Sequence, residues 1–279
     1  MTAQNHLEIT TLVAHALKED IGRGDLSAQL IAPQAQARAQ ILSREAAVLC
    51  GVDFAKEVFN KVDPSIKQDW QLKDGDKLLP DQIFCTLAGP AHSILTAERT
   101  ALNFLQTLSA TATRTAYFVD LIKDTKATIL DTRKTIPGLR DAQKYAVRMG
   151  GGTNHRHGLF DAILIKENHI KACGSITNAI QTAKEKFSDI KIMIEVENLH
   201  ELQEAIRAHA LHIMLDNFSL ENIIKAVNMK PANVKLEASG GINEGNILAI
   251  AQAGVDYISL GTLTKDINAV DLSLLFNQT

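Results

Sequence analysis

Residues 190–217 read IKIMIEVENLHELQEAIRAHALHIMLDN, and this stretch decides the architecture. An apolar run of strand length, Ile190–Val196, is followed by an amphipathic helix over Leu199–Ala208 and a second apolar run, His212–Leu215. Strand, helix and strand joined by connectors this short make a parallel unit with the helix laid against the sheet. The same alternation extends both ways. Strand-like runs stand at Thr128–Asp131, Ala162–Lys166, Val234–Glu237 and Tyr257–Leu260. Helical patterns lie near Arg140–Met149, Ile176–Phe187, Leu220–Val227 and Glu244–Ala253. Six or seven such units without a Gly-rich dinucleotide turn favour a β/α barrel over a doubly wound sheet.

The first third reads differently. A helix over Ile9–Lys18 leads into the turn Gly22-Arg23-Gly24-Asp25. Strand-like runs follow at Ala37–Leu49, Ile66–Leu72 and Ile83–Ala88, with a helix at Val52–Val62 and a turn at Lys73–Lys77. This order predicts a small α+β sandwich. Ala97, Ala101, Leu105, Leu108 and Ala112 then fall at helical spacing, so a connector helix is expected from Thr96 to about Lys123, kinked near Ser109–Thr111. The expected boundaries are 1–110 for the sandwich with its connector and 111–279 for the barrel, the last residues packing back on the N-terminal domain.

Composition narrows the partners. The chain has 279 residues and a net charge of −3, which argues against a general nucleic-acid binder. No apolar run approaches the roughly 20 residues of a membrane span, and Met1–Asp20 lacks the basic start and compact apolar run of a signal peptide. The three cysteines, Cys50, Cys85 and Cys173, are scattered, which suits a reducing cytosol. Between Asp131 and Lys171, however, eight Lys/Arg face four Asp/Glu, a local charge of +4. Aromatic stacking platforms are nearly absent there, so a compact anionic small molecule is the better partner.

Polar residues end each strand run: Asp131-Thr132-Arg133-Lys134, Lys166-Glu167-Asn168-His169, Glu195 and Glu197, Asp216-Asn217, Glu237 and Ser239, and Ser259. In a β/α barrel these positions converge on one mouth. Ser239-Gly240-Gly241-Ile242 and Ser259-Leu260-Gly261-Thr262 are candidate phosphate loops, the first expected to open a helix at Asn243–Glu244. A pair of tight turns is the rival reading. Gly150-Gly151-Gly152-Thr153-Asn154-His155-Arg156-His157 suits a flexible loop laid over an anion. Its His-x-His spacing also occurs in metal-dependent barrels, but Arg156 between the histidines opposes a cation. Two of the acids Glu195, Asp216 and Glu237 could form a glycosidase-like pair. Beside so many cations they suit ribose hydroxyls, Mg²⁺ and a developing oxocarbenium ion better.

Together these segments resemble the quinolinate phosphoribosyltransferases, the carboxylating nicotinate-nucleotide pyrophosphorylases. The matching stretches are Glu19–Asp25, Thr96–Leu105, Asp131–Thr135, Gly151–Arg156, Ile165–His169, Glu195–Glu197, Leu215–Phe218 and Glu237–Ile242. Glu167 stands where much of the family has Asp. The resemblance implies an N-terminal α+β sandwich domain plus an open seven-stranded β/α barrel, in a homodimer whose active sites are shared. It implies Mg²⁺, held mainly by the pyrophosphate of phosphoribosyl pyrophosphate. On this chain it implies that Arg99 reaches the partner's site. Arg133, His155, Arg156 and Lys166 would grip the two quinolinate carboxylates, with Lys134 shared toward the phosphoribosyl side, and Thr132 would also bind substrate. Glu195 and Asp216 would take ribose hydroxyls and Mg²⁺, and Ser239, Gly240, Gly241, Leu260, Gly261 and Thr262 would cradle the 5′-phosphate. Lys134, Glu195 and Asp216 are the expected catalytic residues. The rivals are a phosphoribosyltransferase for another pyridine or pyrimidine acid, a sugar-phosphate lyase or isomerase, and a non-catalytic phosphate-ligand sensor on the same fold.

Overall fold

A computed structural model describes residues 3–277; residues 1, 2, 278 and 279, which fall within the expected domain bounds, lie outside the described residues. The chain forms two compact units. One runs to Arg114 and resumes at Ile267, and the other is Thr115–Asp266.

The first unit opens with α1 (Ala3–Ile21) and continues through β1 (Gln36–Ser43), β2 (Ala47–Val48), α2 (Val52–Val62), β3 (Lys67–Trp70), β4 (Lys77–Leu78) and β5 (Ile83–Pro90). The expected long strand over 37–49 is thus broken: Ser43 Oγ donates to the Glu45 carbonyl and turns the chain between β1 and β2. α2 buries Val52, Phe54, Ala55, Val58 and Phe59, the stripe its helical spacing dictates. α3 (Ala91–Leu121) is one uninterrupted helix of 31 residues. Small polar residues in and beside the stretch expected to kink, Ser109–Thr111, bond a neighbouring segment of the same chain instead. Ser109 Oγ accepts from Cys50 N–H at 2.9 Å and Thr113 Oγ1 from Val48 N–H at 2.8 Å. These bonds satisfy backbone groups beside a two-residue strand that has few ladder partners of its own.

The second unit alternates as the sequence predicts: β6 (Thr128–Leu130), α4 (Arg140–Met149), β7 (Ala162–Ile165), α5 (Glu167–Cys173), α6 (Ile176–Lys186), β8 (Lys191–Val196), α7 (Leu199–Arg207), β9 (His212–Asp216), α8 (Leu220–Met229), β10 (Lys235–Ser239), α9 (Ile247–Gln252), β11 (Tyr257–Ser259) and α10 (Thr262–Lys265). A last strand, β12 (Leu272–Phe276), belongs to the first unit, where the sheet order is β12-β1-β5-β3 with antiparallel pairing.

The second sheet is parallel with order β6-β11-β10-β9-β8-β7, so it is open between β6 and β7. It has six strands where seven were expected. The seventh place is filled by a single parallel bridge, Leu130 to Thr153, because the chain turns inward at Asn154 to bond Asp131. Alternation along the strands sorts the faces. Ile194, Val196, Ile213, Leu215, Leu236, Ala238 and Ile258 face the helices in the main core. Ala162, Leu164, Met193 and Met214 form a small separate cluster on the other face.

Candidate active site

One cavity of about 680 Å³ is lined by residues from every strand end of the parallel sheet: Thr132, Arg133 and Lys134 after β6, Lys166 after β7, Glu195 on β8, Asp216 on β9 and Ser239 on β10 among them. Residues after β6 and β7, the two sheet edges, line the same space, so the sheet curls around it. His155, Arg156, Gly240 and Gly241 complete the wall.

The cations are held from beneath. Asp131 is fully buried and accepts from Lys144 Nζ at 2.5 Å; Lys144 is 2% exposed. The same carboxylate takes Asn154 Nδ2 at 2.5 Å and His155 N–H at 2.9 Å, and Lys144 also donates to the His155 carbonyl at 3.0 Å. Burial pushes the Asp131 carboxyl up, against the pull of the Lys144 ammonium and these donors. The segment expected to be a flexible loop is therefore braced. Two of its glycines have a structural reason: Gly151 has φ 86°, and a Cβ at Gly152 would come within 2.8 Å of Thr115 Cγ2 and 2.9 Å of Val147 Cγ1. Helix α4 needs this close approach.

Bracing sets His155 and Arg156. His155 Nδ1 accepts the Arg156 N–H at 2.7 Å, so a neutral ring carries its proton on Nε2. Nε2 lies 3.4 Å from Glu237 Oε2 without hydrogen-bond geometry. Glu237 is fully buried and bonds His212 Nε2 at 2.7 Å, whose ring stacks on Tyr257. Burial pushes Glu237 up, but the close His155 ring and the hydrogen-bonded His212 outweigh it and hold it at about 2. His157 turns away and pairs with Asp141 at 2.6 Å, so the two histidines of the His-x-His do not converge. Arg156 Nη1 donates to the Ala162 carbonyl at 3.1 Å. Burial, then the charge of Arg133, lowers the Arg156 pKa, and Arg133 Nε is buried with no hydrogen-bond partner.

The basic and acidic walls touch. Lys166 Nζ and Glu195 Oε2 are 2.6 Å apart, with Glu195 the more buried. Asp216 accepts from Asn217 Nδ2 at 2.9 Å. Beside it, Gly240 and Gly241 follow each other at φ 86° and 62°, a left-handed pair that glycine adopts without strain. The expected helix at Asn243–Glu244 begins later, at Ile247. Side chains shape the interval: Asn246 Nδ2 donates to the Gly241 carbonyl at 3.1 Å and Asn246 Oδ1 accepts from Asn243 N–H at 2.9 Å. The helix dipole is thus displaced from the glycines.

Of the second candidate loop, Ser259 lines the cavity. Leu260 is in the core and is only 2% exposed. Gly261 lies under Lys134, whose Cδ would be 3.0 Å from a Cβ there, and the buried Thr262 hydroxyl has no partner. Arg99 belongs to the first unit, is well exposed and stands 4.0 Å from Glu98; it is not among the residues lining the cavity.

The quinolinate phosphoribosyl transferase N-terminal domain model matches residues 25–109 and the C-terminal domain model residues 111–275. A Bacillus subtilis protein named "probable nicotinate-nucleotide pyrophosphorylase [carboxylating]" is 42% identical, covering 97% of this chain and 94% of its own. The solved nicotinate-nucleotide pyrophosphorylase from Francisella tularensis is 51% identical with a TM-score of 0.95, over 97% of this chain and 96% of that one. The one from Ehrlichia chaffeensis is 39% identical with a TM-score of 0.92, over 96% and 98%. The chain belongs to the quinolinate phosphoribosyltransferase family.

Proposed function

We propose that the chain converts quinolinate and phosphoribosyl pyrophosphate to nicotinate mononucleotide, pyrophosphate and CO₂, in NAD biosynthesis. The observation that carries this reading is the crowding of Arg133 and Arg156 in a shared cavity. Burial, and then the charge of Arg133, lowers the Arg156 pKa, and a buried Arg133 Nε lacks a partner. Two neighbouring guanidinium groups at a cavity wall suit a ligand carrying two adjacent carboxylates. Lys166 adds a third cation once an incoming anion competes with Glu195 for it.

The rest of the wall serves the sugar. Glu195 and Asp216 face the position where positive charge grows on ribose C1′ as pyrophosphate departs, and stabilise it there. The pyridine nitrogen attacks the same carbon. The product pyridinium is an electron sink, so the 2-carboxylate leaves as CO₂ and its electron pair takes up a proton. Ser239, Gly240 and Gly241 bind the 5′-phosphate through backbone N–H groups, with Gly261 and Thr262 alongside; Leu260, expected in the same cradle, is buried in the core with its N–H bonded to the Leu130 carbonyl, and Lys134 lies toward the phosphate.

Mg²⁺ is the proposed cofactor. Such an ion takes one or two protein carboxylates and completes its shell with water and substrate phosphates. Asp216 and Glu195 supply that donor set, Glu195 only after leaving Lys166. When bound, the ion offsets charge on the leaving pyrophosphate. The working form is a cytoplasmic homodimer with Arg99 given to the partner's site, and its ligands are small anions rather than nucleic acid or membrane. Among the described residues no disulfide joins Cys50, Cys85 and Cys173. Among the described residues no helix is long and apolar enough to cross a membrane.

The deciding assay offers purified protein quinolinate or nicotinate with phosphoribosyl pyrophosphate and Mg²⁺, and measures CO₂ and pyrophosphate. Quinolinate should turn over and nicotinate scarcely at all, since a site built for two charged groups rejects an analogue lacking one by about 10⁴ or more. Equal use of both acids would remove quinolinate from the assignment and leave the transferase.

A further inference from the structure

Asn217 has a left-handed backbone, φ 55°, shared among the described non-glycine residues with Asp81 and His209. It directly follows β9, and its N–H donates to the Ser239 carbonyl at 2.9 Å, one step beyond the Asp216–Ser239 register pair. The turned backbone lays the side chain between two features of the cavity. Nδ2 donates to Asp216 Oδ2 at 2.9 Å. A carboxylate only accepts, so the amide nitrogen must be the end that faces Asp216. The oxygen end presses on the phosphate loop: a Cβ on Gly240 would stand 2.2 Å from Asn217 Oδ1. Gly240 has a positive φ of its own, 86°. A simple turn after β9 would be met by glycine without any such side chain. A disfavoured conformation whose side chain is engaged on both sides points to function.

We propose that Asn217 is a positioning residue for phosphoribosyl transfer. Its amide N–H₂ fixes the Asp216 carboxylate, and its oxygen packs against Gly240. One side chain thereby sets the distance between the groups that meet the two ends of the sugar phosphate, its hydroxyls and its 5′-phosphate. The inference rests on the function proposed above and adds a residue that touches neither reacting atom.

Asn217→Gly tests it, because glycine suits the left-handed backbone and should leave the melting temperature no lower than wild type. Losing a hydrogen bond to a charged group should weaken binding of Mg²⁺–phosphoribosyl pyrophosphate about tenfold and lower kcat by about 10–100-fold. Quinolinate affinity should stay within about twofold, since Arg133, Arg156 and Lys166 are untouched. In an Asp216→Asn background, the same change should cost less than about threefold more, the non-additivity of residues acting through one another. Wild-type constants in Asn217→Gly, equal loss of both ligands, full additivity, or a fallen melting temperature would each overturn the role. Binding is read by titration calorimetry, apart from turnover. A wild type that binds phosphoribosyl pyrophosphate without using quinolinate overturns the function alone, and the Asn217→Gly affinity ratio still decides the inference. A wild type that binds no phosphoribosyl pyrophosphate overturns both.

Discussion

Glu237 and Asp216 are carboxylates on neighbouring strands with opposite jobs. Asp216 is partly exposed in the cavity, where the proposed mechanism has it meet charge that exists mainly in the transition state. Asp216→Asn should therefore lower kcat by about 10²–10³ while leaving quinolinate binding nearly intact. Steady-state kinetics beside direct quinolinate binding would check this; lost affinity with intact kcat would contradict it. Glu237 is a supporting charge whose depressed pKa links it to stability. It titrates near 4.5 when unfolded and at about 2 when folded. Its contribution is complete above the unfolded value and disappears as pH falls toward the folded one. Between pH 7 and pH 3 the stability gap between wild type and Glu237→Gln should narrow by about 2 kcal/mol. Denaturant midpoints at the two pH values would show it. A gap that is constant with pH would mean that Glu237 is not a charged partner of the histidines.

At the scale of elements, strand ends were legible and their supports were not. Arg133, Lys166, Glu195, Asp216 and Ser239 could be read as cavity residues because each ends an apolar run, and a parallel sheet brings such ends together. Lys144 could not, because a lysine in an amphipathic helix is ordinarily solvated. Only the fold brings Asp131 over it, 13 positions away in sequence. The same limit hid the Lys166–Glu195 pair and the asparagines that displace α9 from the glycine loop: local pattern carries no information on which distant side chains meet. Lys144 ties α4 to the Asn154–Arg156 segment, so its loss should act on both. Lys144→Met fits the stem but strands the Asp131 charge, which should cost about 3–5 kcal/mol. It should also loosen His155 and Arg156, raising the KM for quinolinate. Chemical denaturation and kinetics on the same variant test the pair of effects, and unchanged KM at reduced stability would separate support from site.

For the whole molecule, the question is where Arg99 works. The cavity is lined by residues of the second unit, whereas Arg99 belongs to the first and stands exposed beside Glu98. An exposed arginine within an otherwise amphipathic helix is unremarkable in one copy. It becomes functional if a second copy brings it to the cavity, and complementation isolates that case. Arg99→Ala and Lys134→Ala should each be nearly inactive as pure proteins. Mixed, dissociated and reassembled, they should recover activity, because one site of each heterodimer receives both lesions and the other receives neither. Random assortment makes about half of the dimers mixed, so about a quarter of all sites should be intact, by the arithmetic of a two-fold pair. Recovery should rise with the extent of subunit exchange, which differently tagged subunits would report. If exchange proceeds without recovery, Arg99 acts within its own subunit or only in folding, and sharing of sites has no support. If Arg99→Ala alone remains active, the arginine has no part in the reaction at all.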